Sequence, residues 1–332
     1  MTLFRQISGP GHFRVLLAAL VVVSHMSSVE IGRPAVFVFF MLSGYWVLRM
    51  YEQKYRPAAP VWVFYLSRIM RVWLAFATAF LAVFLLYALS SDPRPPETLA
   101  GLSLFGLAST RQDVLGTSWS LDIEVQFYLL VPLLSLVLAR VHRHRSRAVA
   151  ILVIGMMLTV LGWYLQTSRG LWTVLSYAPP FLMGALIWHW QARGSGRSAA
   201  LSVLAFLLAG VVVSASPLLR PLLLSDVDGP FQEDWFGMAW VTLLVPFVIW
   251  NVQQESSPFD LHAGNYSYAL YITHWPVIAF LGPVLQPVST LDKIWMLGII
   301  LVVSLAFHVT VDRGWEHLRR RVVHDLFSSR RR

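Results

Sequence analysis

Arg14 and His25 stand eleven residues apart in the first apolar segment of the chain, Phe13-Arg14-Val15-Leu16-Leu17-Ala18-Ala19-Leu20-Val21-Val22-Val23-Ser24-His25, with no other ionisable side chain between them. At about 100° per residue, eleven steps return a helix to nearly the same face, with about 16 Å between the two groups along the axis. Burying ionisable side chains in hydrocarbon is costly, so a cation and a titratable base on one stripe point to a reaction path. Imidazole, with an ordinary pKa of about 6.5, suits removal of a proton from a hydroxyl. A carboxylate beside it would fix the tautomer and stabilise the imidazolium that forms. Glu124 is the candidate, on a polar stripe Ser120, Glu124, Tyr128 repeating every four residues.

The elements that position these groups must be membrane helices. Of 332 residues, 57% are hydrophobic and 13% charged, and the mean hydropathy is +0.62, too little polar surface to close a soluble globule. The chain reads as an all-α integral membrane protein with about ten transmembrane helices, as one transmembrane domain over residues 1–332 with no separate soluble domain. The expected spans lie near 13–29, 34–50, 71–90, 118–139, 148–167, 171–190, 198–216, 235–251, 265–284 and 292–311. Thr98 to Ala108 is apolar but too short to cross, and reads as re-entrant or interfacial. The chain has no cysteine, which excludes disulfides, thiolate metal sites and a cysteine acyl-enzyme.

With both termini cytoplasmic, 20 of the 26 basic residues fall on the inner side, so the formal charge of +9 is mainly a topology signal and not a sign of nucleic acid. An inner Arg-rich tail also suits anionic lipid. Depth then sorts the polar groups into two layers. Arg14 opens the first span, and Arg68 and Arg71, three apart on one face, open the third, giving a basic inner mouth. His25, about 6 Å below the outer end of its span, and Glu124, about 9 Å below the start of its own, could meet near the outer side. Arginine binds phosphates with a planar fork of donors, so a phosphate-bearing donor suits the inner mouth.

Other groups carry less signal. Asp122 points to a different face from Glu124 and reads as an outer-mouth residue in reach of acceptor or solvent. Tyr271 and His274 share a face near mid-membrane, as lining for a donor channel or as packing beside Trp275 and Pro276. His308 and Asp312, four apart, read as a helix-end pair. The run His142-Arg143-His144-Arg145 reads as a solvated charge run and not a metal site; no metal is expected.

Several segments together resemble the acyltransferase-3 family of membrane-bound O-acyltransferases, in particular the standalone forms that act on bacterial exopolysaccharide or lipopolysaccharide. Arg14 and His25 match its first-helix arginine and histidine. Val38-Phe39-Phe40-Met41-Leu42-Ser43-Gly44-Tyr45 is similar to its second-helix signature, and Arg68-Ile69-Met70-Arg71 to its basic motif. Trp119-Ser120-Leu121-Asp122-Ile123-Glu124-Val125-Gln126-Phe127-Tyr128 and Ser267-Tyr268-Ala269-Leu270-Tyr271-Ile272-Thr273-His274-Trp275-Pro276 resemble two further motifs. Asp122, Ala269 and Gly314 depart from the pattern, standing where a small or apolar residue, a serine and a proline are common.

The resemblance implies an acyl-CoA donor, usually acetyl-CoA, a sugar hydroxyl as acceptor, and His25 as the central catalytic residue. It also implies Arg14, Arg68 and Arg71 as donor-binding residues and Glu124 in support. The expected reaction is O-acetylation of a surface polysaccharide or its glycolipid precursor at the bacterial inner membrane, with polysaccharide biosynthesis proteins and membrane lipid as partners. His25 acts as general base or accepts the acyl group itself. A secondary transporter is the reading from another class, and a macrolide, lipid or peptidoglycan acceptor the alternative within the enzyme class.

Overall fold

Proline and serine punctuate the chain where helices begin. Pro10 stands in the first turn of α1 (Pro10–His25), and Pro60 directly precedes α3 (Val61–Leu89), positions where a missing N–H costs nothing. Capping boxes open α7 (Gly196–Ala215), through Ser195 and Ser198, and α11 (Thr290–Phe307), through Ser289 and Asp292. Between these lie α2 (Gly32–Met50), α4 (Ser118–Arg140), α5 (Arg145–Arg169), α6 (Ala178–His189), α8 (Pro230–Val241), α9 (Val245–Asn251) and α10 (Pro258–Leu285), and α12 (Arg313–Ser328) follows. The computed structural model describes residues 9–89, 99–110, 113, 115–140, 145–224, 230–285 and 289–328. Among them there is no strand, only an isolated bridge between Val29 and Leu224.

Seven helical stretches among the described residues are long and apolar enough to cross a membrane: Gly32–Tyr55, Val61–Leu89, Ser118–Arg140, Val149–Arg169, Gly196–Ala215, Asp234–Asn251 and Thr290–Ser328. A helix lies at each of the ten expected spans, but α1 with 16 residues and α6 with 12 fall short of a full crossing, and α10, with 28, is not among the seven. Exposed Leu201, Leu204, Leu208 and Val211 form a stripe along α7, the surface hydrocarbon would cover. The segment read as re-entrant forms a 3-10 turn at Leu99–Ser103 and one α turn at Leu107–Thr110; Thr98 lies outside the described residues, as do His142, Arg143 and His144.

Two corrections concern helix ends. α1 stops at His25, so this residue closes the helix instead of lying four residues inside it; Met26 leaves the helical range and Ser24 Oγ turns to the Val29 carbonyl at 3.0 Å. α3 begins at Val61, so Arg68 and Arg71 lie two to three turns inside a 29-residue helix and do not open it. Charge ended the apolar run in the sequence, whereas Pro60 sets the true start.

The chain forms two compact units. The first comprises Met1–Trp46, Arg143–Thr159 and Tyr177–Tyr268, and the second Val47–His142, Val160–Ser176 and Ala269–Arg332. The first has an aromatic core in which Phe40 stacks on Phe181 at 4.6 Å and meets Tyr177 at 5.7 Å. Here α2 and α6 touch backbone to backbone. A Cβ on Gly44 would overlap the Phe181 carbonyl, and one on Gly184 the Met41 carbonyl, so the Ser43-Gly44 signature is a close helix crossing. In the second unit α12 packs along α3, where Trp315 donates to Thr78 Oγ1 at 3.0 Å.

Candidate active site

In the first unit α1 holds Arg14 and His25 as the sequence spaced them. Arg14 is half-buried and His25 is exposed at the helix end. The start of this helix is fixed by a residue the sequence reading missed. Asp260, at the start of α10, accepts from the Gly11 amide at 3.0 Å and the His12 amide at 2.8 Å, and its carboxylate lies 2.6 Å from His12 Nδ1. It supplies the cap that Gly9 cannot. Burial, the largest influence, pushes the Asp260 carboxyl up, but the His12 and Gly11 amides, the Ser256 hydroxyl and the His12 charge outweigh it and hold the carboxyl below its ordinary range. No local pattern marks a cap that comes from almost 250 residues away.

An ion pair on a buried carboxylate links α2 to α8 in this unit. Arg33 Nη1 lies 2.5 Å from Asp234 Oδ1, and the Tyr177 hydroxyl donates to Asp234 Oδ2 at 3.3 Å. Beside it the Glu30 amide donates to the Leu223 carbonyl at 2.9 Å, clasping two loops.

The second unit brings together Ser120, Glu124, Tyr128, Tyr271, His274, Arg68 and Arg71, along with Asp122. Ser120 Oγ and the Tyr271 hydroxyl share a 2.6 Å hydrogen bond, Ser120 donates to the Thr117 carbonyl at 3.0 Å, and Glu124 and Asp113 act electrostatically on Tyr271. The motif beginning at Trp119 and the one ending at Pro276 therefore meet, although about 150 residues separate them. Their fit is tight. Gly116 has φ +67°, and a Cβ there would overlap the Trp275 ring. His274 is fully buried, with Nδ1 3.2 Å from the Leu270 carbonyl; since a carbonyl only accepts, Nδ1 carries the proton there.

Asp122 is not at an open mouth. It is fully buried, accepting from the Ala108 amide and the Gln126 side chain, each at 3.0 Å, and Gln126 in turn accepts from the Val174 amide at 2.9 Å. The expected reach to acceptor or solvent is therefore closed off, because Asp122 is satisfied by loop partners that the sequence does not reveal. Asp113, also missed, accepts from the amides of Leu115, Ser118 and Trp119 at the start of α4. Burial pushes its carboxyl up, opposed by these bonds.

The arginines of α3 differ in their partners. Arg71 pairs with Asp312 at 3.3 Å and with Glu316 at 3.8 Å, whereas Arg68 lies 5.9 Å over the Tyr128 ring. The expected pair forms, His308 Nδ1 lying 2.9 Å from Asp312 Oδ2, but in the π turn that joins α11 to α12 and not at a helix end. A groove of about 260 Å³, lined by Ala79, Ile272, Thr273, Pro276, Phe280 and Phe307, lies in the same unit; the Thr273 hydroxyl is turned to Ala269 and Ser304, so the surface it presents is apolar and suits hydrocarbon, not a sugar.

A family model described as an acyltransferase domain matches residues 7–313, nearly the whole chain. The chain belongs to the acyltransferase-3 family. It is 27% identical over 318 residues to a protein of Komagataeibacter xylinus whose name reads "Putative membrane-bound transacylase BcsY", covering 90% of this chain and 80% of that one. No solved structure matches it. Family membership, the seven span-length helices and the relative together make this a multi-pass membrane acyltransferase.

Proposed function

We propose that the protein transfers an acyl group, most simply acetyl from acetyl-CoA, to a sugar hydroxyl of a surface polysaccharide or its lipid-linked precursor, at the bacterial inner membrane. The carrying observation is His25, an exposed imidazole closing an apolar helix that also carries Arg14 on the same face. On this reading His25 takes the hydroxyl proton as the sugar oxygen bonds to the thioester carbon. The carbon–sulfur bond breaks, and the imidazolium returns its proton to the leaving thiolate. A second route has His25 accept the acyl group before the sugar does. Glu124 supports this chemistry, and Arg14, Arg68 and Arg71 serve the donor's phosphates. An excess of arginine facing the cytoplasm supports the orientation, with the donor arriving from that side.

Membranes containing the protein should transfer labelled acetyl from acetyl-CoA to polysaccharide, and His25→Ala should lower the rate to background. An unchanged rate in His25→Ala would remove the imidazole from the chemistry. Labelled acyl-protein accumulating without acceptor would select the second route. Unaltered O-acetyl content of surface polysaccharide in a deletion strain would overturn the acceptor assignment.

A further inference from the structure

The helix beyond the family match brings charge into the second unit. Arg319 of α12 donates through Nε and Nη2 to the two oxygens of Glu316 at 2.9 and 2.6 Å, and through Nη1 to Ser67 Oγ at 2.8 Å. The Tyr55 hydroxyl donates to the same Ser67 oxygen at 2.7 Å. Ser67 precedes Arg68, so Arg319 is pinned beside the basic motif of α3. Both Arg319 and Arg71 act on the Arg68 charge and repel it. Two π-helical turns help build this cluster, Tyr51–Tyr55 supplying Tyr55 and His308–Asp312 supplying Asp312.

The charges here do not balance. Glu316 and Asp312 offset Arg319 and Arg71, but among the described residues Arg68 has no carboxylate partner, and its buried Nε has no hydrogen-bond partner. A guanidinium that feels the charge of two others and lies over an aromatic face, with no carboxylate of its own, is short of an anion. A phosphate supplies two negative charges and several acceptor oxygens, which match guanidinium donors.

We propose that Arg319 completes a three-arginine anion site with Arg68 and Arg71, which takes the phosphates of a nucleotide-bearing thioester donor. Glu316 is a positioning residue that aims Arg319 through its two-oxygen grip. The identity of the ligand rests on the donor reading above; the anion site does not. All of α12 after Arg313 lies beyond residues 7–313, so on this proposal the helix is a working part of the enzyme outside the family match.

The test uses the purified full chain in detergent and in vesicles of phosphatidylcholine with or without phosphatidylglycerol. Coenzyme A and pyrophosphate binding are measured for wild type, Arg319→Gln and Arg319→Lys. Arg319→Gln should weaken both ligands about tenfold or more, and Arg319→Lys less, since lysine keeps the charge but loses the fork. The KM for acetyl-CoA should rise with it, while the KM for acetyl-pantetheine, which lacks the nucleotide, stays constant. Wild-type affinities for both ligands in both variants, or an equal rise in both KM values, would overturn the proposal. Pyrophosphate binding that needs Arg319 without any coenzyme A binding would keep the anion site and refute the donor reading. Loss in Arg319→Gln only of a phosphatidylglycerol effect would assign the site to lipid headgroups and overturn it.

Discussion

Replacing Asp260 with alanine should loosen the helix that carries Arg14 and His25. The first amides of a helix have no partner within it, and in α1 those of Gly11 and His12 are both taken by Asp260. Asp260 is 1% exposed, so water does not readily replace it. Loss of a capping side chain costs about 0.5–2 kcal/mol. Loss of a negative charge beside a helix N-terminus adds about 0.3–1 kcal/mol, giving roughly 1–3 kcal/mol in all. Asp260→Asn keeps one acceptor oxygen and should cost about 1 kcal/mol. Denaturant midpoints of the purified protein measure the size, and hydrogen exchange at the Gly11 and His12 amides measures the place. The pH dependence gives a further reading. The folded carboxyl is held below its ordinary value of 3.8, so its contribution is fully present above that value and is lost as pH falls through the folded value. The stability gap between wild type and Asp260→Asn should close in acid below about pH 4. An alanine variant with wild-type midpoint and wild-type exchange at residues 11 and 12 would refute the capping argument.

Three other perturbations follow from the buried contacts. Removing Arg33 alone, as in Arg33→Met, leaves the buried Asp234 carboxylate without its cation and should cost about 3–5 kcal/mol, while Arg33→Met with Asp234→Leu should cost much less; equal losses in single and double variants would contradict an ion pair. A double-mutant cycle on Ser120→Ala and Tyr271→Phe should give a stability coupling of about 0.5–1.5 kcal/mol, and a coupling of zero would mean their hydrogen bond contributes nothing. Gly116→Ala combines a left-handed backbone, worth about 1–3 kcal/mol of strain, with overlap on Trp275. It should lose monodisperse protein in size-exclusion chromatography, and adding Trp275→Ala should restore only part, because the positive φ remains.

The family was legible in the order of the motifs, and the helical class in apolar runs, because both are local properties of the chain. What local pattern misjudged were boundaries. His25 closes its helix because Ser24 and Met26 turn the backbone there, and Arg68 lies deep in α3 because Pro60, not charge, sets the start. Asp122 looked solvated because a carboxylate without visible partners is assumed to seek water, yet the loop around Ala108 satisfies it.

By itself the sequence determined a multi-pass helical acyltransferase and the shared face of Arg14 and His25, since helical periodicity and hydrophobicity act over tens of residues. Only the tertiary structure decided the distant partners within each unit: Asp260 capping α1, Tyr271 meeting Ser120, and Arg319 reaching the basic motif. Such contacts join residues 150 to 250 positions apart in sequence. They are set by how helices cross at glycines and how π turns shift the side chains that follow, which no local pattern records.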